Sequence, residues 1–214
     1  MPINPLVLGP LHTIHKPNGE LASEEWWYEP SYIIPVFRFD VHKNSAVMYK
    51  RENQIRTQIK RLPYQSELED ILIRYVRALD ETSWHNTFLS LWRILEQLVT
   101  PNGNYDRTTK RVSFLFEDVE YHQQVLGHLR HHRNAFVHEG NTSIYFETLA
   151  YQTKFYVDLL LEFHFTNRFG FGSLAEIGEM LDSPTDEQTV KETLNVLTKK
   201  TRLIEKVAKY RNIR

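Results

Sequence analysis

Two arginines and four histidines stand within residues 127–141, GHLRHHRNAFVHEGN, together with Asn134 and a closing His138-Glu139-Gly140. Cationic and titratable side chains at this density invite the question of what they act on. On a helix that advances by about 100° per residue, with Leu129 at zero, Val125, Leu126, Phe136 and Val137 fall within about 80° of it and form an apolar stripe. Arg133 falls at about +40°, inside that stripe. Charged side chains rarely enter a core unpaired, so an arginine here needs a partner or a task. The plainer reading is a stem packed at the edge of the stripe with its head in water.

Asn134 and His138 lie on the opposite side, one turn apart. His138 stands two residues before Gly140, in the last helical turn, where unpaired carbonyls favour the protonated imidazole. That sets its titration near neutral pH and suits it to proton transfer; a histidine that only caps the helix is the plainer alternative. A straight helix separates Arg133 from His138 by about 140°. Either the guanidinium reaches around, or the helix bends or ends early, or a second copy of the helix completes the site.

The elements that must position these groups can be read from the rest of the chain. Its 214 residues suffice for one large or two small domains with a sizeable core. The net charge of −1 does not by itself point to nucleic acid. The basic runs RENQIRTQIKR, HLRHHR and KKTRLIEKVAKYRNIR read as solvated faces when taken singly. The absence of cysteine excludes disulfides and thiolate zinc sites and fits a reducing compartment. The most apolar run, FYVDLLLEFHF, is interrupted by Asp158, Glu162 and His164 and falls short of the roughly 20 residues a bilayer requires. MPINPLVLGPLH lacks the basic-then-apolar pattern of a secretory leader. We therefore expect a cytoplasmic protein without a membrane anchor.

Residues 1–30 show no helical period and read as irregular chain, followed by a half-buried strand in YIIPVFRFDV, where Phe37, Phe39 and Val41 alternate with polar neighbours. From residue 64 the period becomes helical. The first helix, SELEDILIRYVRALDE, opens on a Ser66/Glu69 capping box, with Leu68, Leu72, Tyr75, Val76 and Leu79 as its stripe. The second carries Trp84, Phe88, Leu91, Leu95 and Leu98 and ends at TPNGN; DRTTKRVSFLF is ambiguous. The third runs from about Asp118 to Gly140, and the fourth from about Ser143 to Arg168. After GFG comes a short helix capped by Ser173, then a long one beginning at Ser183-Pro184 with Asp186 completing a capping box. This predicts an all-α, up-and-down helical bundle over residues 63–214, behind an N-terminal irregular segment with a short strand over residues 1–62.

RNAFVH at 133–138 resembles the Arg, four to six residues, His signature of HEPN (higher eukaryotes and prokaryotes nucleotide-binding) domains, where an Asn often follows the Arg. FLSLWRILEQLV and RNAFVHEG resemble the Apea-like branch, and the likeness covers about residues 64–165. The resemblance implies a helical bundle that works as a homodimer. It further implies a metal-independent endoribonuclease of anti-phage defence, toxin–antitoxin or RNA-processing systems, with RNA as substrate, no cofactor and no metal. Carried over, Arg133 would bind and stabilise the scissile phosphate, His138 would move a proton, and Asn134 would orient the phosphate or His138. Glu96, at about +40° from Trp92 and so at the margin of its helix's apolar arc, would pair with Arg133 and hold it, or else simply face solvent. Arg130, His131 and His132 would extend an RNA-facing surface. An inhibitory antitoxin or a larger defence protein would be a further partner, although Gly140 stands where some toxin members carry a modified tyrosine.

Three other readings compete. The family also contains inactive domains that serve as binding or dimerisation modules for nucleotide, RNA or protein. His128 and His132, at i and i+4, have a metal-chelating spacing but lack an obvious third ligand. Trp26 and Trp27 could stack bases, but such a pair more often covers a core, and we expect the latter; Asp158 and Glu162 read as a solvated face.

Overall fold

The computed structural model describes residues 3, 4, 9–30, 32, 45–101, 103, 105–139 and 145–213; the side chains of Tyr105, His138 and Glu139 lie outside that description. The described chain is mostly helical. In order it comprises β1 (Leu11–His15), β2 (Leu21–Tyr28), α1 (Ser45–Ile59), α2 (Gln65–Asp80) and α3 (Trp84–Val99). A 3-10 turn (Tyr105–Arg107) leads into α4 (Thr108–Ser113), then α5 (Val119–Glu139), α6 (Phe146–Thr166), α7 (Leu174–Leu181) and α8 (Glu187–Tyr210).

The centre of the bundle is α3. It packs against α2 and α6 and touches α4 and α7. Phe88, Leu91, Leu95 and Leu98 are fully buried, as their spacing predicts, and Trp92, Ile94 and Val99 join them. A helix buried on most of its sides belongs in the middle of a bundle. Facing it, α6 buries Phe146, Leu149, Tyr156, Val157, Leu160 and Leu161.

Helical structure begins at Ser45, well before residue 64. Within α1 only Ile59 is buried, so the helix presents little apolar period to read. In α2 no side chain caps the start: Tyr64 occupies the N-cap, and Ser66 lies inside the helix rather than capping it. The buried face is Leu68, Ile71 and Ala78, with Leu72, Tyr75 and Leu79 partly covered, while Val76 is exposed. The short helix α7 does start as expected. Ser173 Oγ accepts from the Glu176 amide, and Glu176 Oε2 accepts from the Gly172 amide, at 3.1 and 2.7 Å. The cap of α8 is Asp186, which accepts from the Thr189 amide at 2.7 Å and so takes the role expected of Ser183.

Residues 1–30 are not wholly irregular. β1 and β2 pair antiparallel, with Leu11 opposite Tyr28 and Thr13 opposite Trp26. Gly19, at φ 88°, makes the reversal after Asn18. Trp26 and Trp27 are 65% and 61% exposed on this hairpin and cover no core, contrary to expectation. The strand expected in residues 32–41 lies outside the described residues, apart from Tyr32.

A carboxylate ties together the ends of three helices. Asp182, just after α7, accepts from Arg111 Nε and Nη2 at 3.0 and 2.8 Å and from Arg107 Nη1 at 2.6 Å. Arg111 also donates to the Val99 carbonyl, which closes α3. Gly178 permits this approach, because a Cβ there would meet the Arg111 guanidinium at 2.6 Å. The Arg111 hydrogen bonds, more than those of Arg107, hold the Asp182 carboxyl down at about 2. Asp182→Ala leaves a mostly buried guanidinium without its anion and is expected to lower stability by about 2 kcal/mol near neutral pH. A urea midpoint indistinguishable from the parent's would refute this.

Candidate functional site

Arg133 projects from the C-terminal half of α5, between two anchors. Leu129, four residues earlier, is fully buried. Phe136, three residues later, enters an aromatic cluster with His85 and Phe146 at ring distances of 5.1 and 5.4 Å. Leu126 is fully buried and Val125 partly so, but Val137 is 51% exposed and lies off the packed face.

Opposite Arg133 stands Glu96, the only charged side chain buried in α3. Its Oε1 accepts from the Trp92 indole at 2.7 Å, within the same helix. Arg133 Nη2 lies 3.9 Å from that oxygen, close enough for charge attraction and too far for a hydrogen bond. Burial pushes the Glu96 carboxyl above the usual range, against the opposing pull of the Trp92 hydrogen bond and the charges of Arg133, Arg130 and Arg93. Arg133 Nη1 donates to Asn134 Oδ1 at 2.9 Å. A guanidinium has five donors. With one on Asn134 and the side chain 32% exposed, Arg133 is anchored at its base and open toward solvent.

His138 falls in the last turn of α5, but its side chain lies outside the described residues, as does Gly140. Arg130 is held by Asp106. His131 is exposed. His132 Nε2 sits 3.2 Å from His128 Nε2, and burial, then the neighbouring charges of His128 and His131, lowers its proton affinity. Among the described residues no three His, Cys, Asp or Glu side chains converge as a metal site. The structure therefore gathers Arg133, Asn134 and Glu96, and sets Arg130, His131 and His132 along the same helix.

Two participants escape sequence reasoning. Trp92 holds Glu96, and the available signal was the requirement of a buried indole N–H for an acceptor, here one turn away. Asp106 holds Arg130 from a segment without a periodic pattern. Asp158 and Glu162 have structural partners: Asp158 accepts from Tyr75 and Lys154, and Glu162 pairs with Arg51.

Comparisons with protein-family models, with curated proteins and with solved structures return no match to this chain.

Proposed function

We propose that this chain is a metal-independent endoribonuclease of HEPN type, acting as a homodimer in phage defence or growth control. The observation that carries this reading is the arrangement at Arg133. A guanidinium is braced by Asn134, attracted by a buried Glu96 that is itself fixed by Trp92, and left partly open to solvent. A plain surface arginine would not require a buried, desolvated carboxylate behind it. A cation held in this way is suited to a phosphodiester.

In the proposed reaction the ribose 2′-oxygen attacks phosphorus and the 5′-oxygen leaves. A base takes the 2′-proton and an acid returns one to the leaving oxygen. Arg133 stabilises the charge that grows on the non-bridging oxygens, and His138, in the last turn of α5, carries a proton. Glu96 and Trp92 position Arg133, and Arg130, His131 and His132 extend the cationic surface along the strand. Because a five-residue spacing sets Arg133 and His138 about 140° apart on a helix, the reading pairs Arg133 of one copy with His138 of the other. Exposed Val137, one turn beyond Arg133, is suited to line that seam.

The test is incubation of the purified chain with single-stranded RNA in EDTA. Cleavage by the parent, reduced by at least about 100-fold in His138→Ala, is the expected result. RNA that is bound but left uncut by the parent would replace the nuclease with a binding module.

A further inference from the structure

α8 spans 24 residues and buries none of them against the bundle. Helices in proteins draw most of their stability from packing an amphipathic face, and an exposed, largely apolar stripe along one normally marks a contact surface. Val190, Leu194, Leu197, Thr201, Ile204 and Ala208 follow one another at alternating steps of four and three. That is the heptad seam of a coiled coil, with Leu194, Thr201 and Ala208 at a and Val190, Leu197 and Ile204 at d. Leu197, near its centre, is 54% exposed.

From this pattern we infer that α8 pairs with α8 of a second copy as a parallel two-stranded coiled coil, independently of the RNA-cleaving reading. The flanking charges choose the occupant and the direction. In a parallel pair each g position faces the e position five residues later on the other helix. Lys200 of one copy then meets Glu205 of the other. This charged pairing is attractive, and symmetry supplies it twice. An antiparallel pair keeping the same seam leaves Lys191 against Glu205 as an attractive contact but sets Lys200 against Lys200, a repulsion that the parallel pair avoids. Thr201 at a central a position places a polar side chain opposite its own copy only when the helices are parallel and in register. Val196, Leu203 and Tyr210 form a separate apolar stripe about 140° from the seam, which provides an internal control.

The chain contains no cysteine, so a single introduced thiol reports on one position alone. Full-length Leu197→Cys and Leu203→Cys, both at exposed residues, are oxidised mildly at micromolar concentration and followed on non-reducing gels. In the parallel pair Cys at 197 faces its own copy, and the covalent dimer forms at least about tenfold faster than from 203. Lys200→Glu in the Leu197→Cys background slows cross-linking by about fivefold through repulsion from Glu205, and adding Glu205→Lys restores it. Equal rates at 197 and 203, no cross-link at 197, or a Lys200→Glu variant that cross-links as fast as its parent would each overturn the inference. RNA cleavage is not the readout, so loss of the nuclease reading leaves this result intact.

Discussion

Replacing Arg133 by alanine is expected to lower RNA cleavage by about 100- to 1000-fold, the usual effect of removing one preorganised donor from a developing oxyanion. The same change also disturbs the fold, since Glu96 is buried and loses the nearest of its three attracting cations. Its carboxyl, already displaced upward by burial, would move further toward the neutral form. The stability loss is about 1–3 kcal/mol. Loss of activity in Arg133→Ala alone therefore has two possible causes, and Glu96→Gln separates them. A glutamine keeps an acceptor for the Trp92 indole and carries no charge that needs a partner. The Arg133→Ala/Glu96→Gln double variant should regain most of the stability and none of the activity. Arg133→Lys, which keeps the charge but loses the planar fork, should fall between. Arg130→Ala removes a cation whose partner, Asp106, is exposed, and should change activity only a few-fold. The proposal fails if Arg133→Ala cleaves within about fivefold of the parent, or if the double variant recovers activity along with stability.

Periodicity revealed those parts of the fold in which one face of a helix is dry. α3 is the clearest case: every fourth or third residue from Phe88 to Leu98 is buried, and helix and core face could both be read directly. The same reasoning slipped in α2, where Ser66 has the form of a cap but the preceding Leu62 and Tyr64 are buried. Tertiary burial drew the chain into the helix two residues earlier than local chemistry suggests, with Tyr64 rather than Ser66 at the N-cap. α1 was not visible because its contact with the bundle is narrow, through Ile55, Ile59 and the Arg51–Glu162 pair, too few residues to make a stripe. The hairpin was missed because both of its faces are wet: with Leu11, Ile14, Trp26 and Trp27 all exposed, the in-and-out alternation that signals a strand is absent. The Asn18-Gly19 turn was the usable clue.

The candidate site divides in the same way. Arg133 stood out because an apolar stripe makes a buried charge conspicuous, and the helix geometry that placed it there also predicted the need for a partner. Which carboxylate would face it was not derivable from α5 alone, because the α3–α5 approach depends on packing. The likeness to HEPN motifs pointed to Glu96, and in the structure that carboxylate lies beside Arg133. Val137 shows the limit: helical angle assigns it to the stripe, yet it is exposed, since Phe136 alone reaches the aromatic cluster with His85 and Phe146.

Acid should destabilise this protein well before its carboxylates titrate, and His164 is the reason. It is completely buried near the end of α6, edge-on to Tyr64. Nε2 lies 3.2 Å from the Leu98 carbonyl and must carry the proton to donate, and Nδ1 is buried with no partner among the described residues. A second proton would place a charge where no acceptor waits. Burial accordingly lowers the histidine from 6.5 to about 4, opposed only by the Leu98 hydrogen bond. With the folded value below the unfolded one, the unfolded chain takes up the proton first. The contribution of neutral His164 is fully present above pH 6.5, declines as pH falls, and is exhausted near pH 4. At 1.36 kcal/mol per unit, the loss reaches about 2 kcal/mol by pH 5. Asp182 acts lower, between its ordinary value of 3.8 and about 2. Glu96 acts with the opposite sign, since its raised carboxyl makes the folded state the better proton acceptor as pH falls. A difference measurement isolates the histidine. His164→Gln retains a donor for Leu98 and cannot be protonated, so the gap between parent and variant stability should shrink by about 2 kcal/mol between pH 7.5 and pH 5. Parallel urea-midpoint profiles for the two proteins across that range would show that His164 is not the acid-sensitive group.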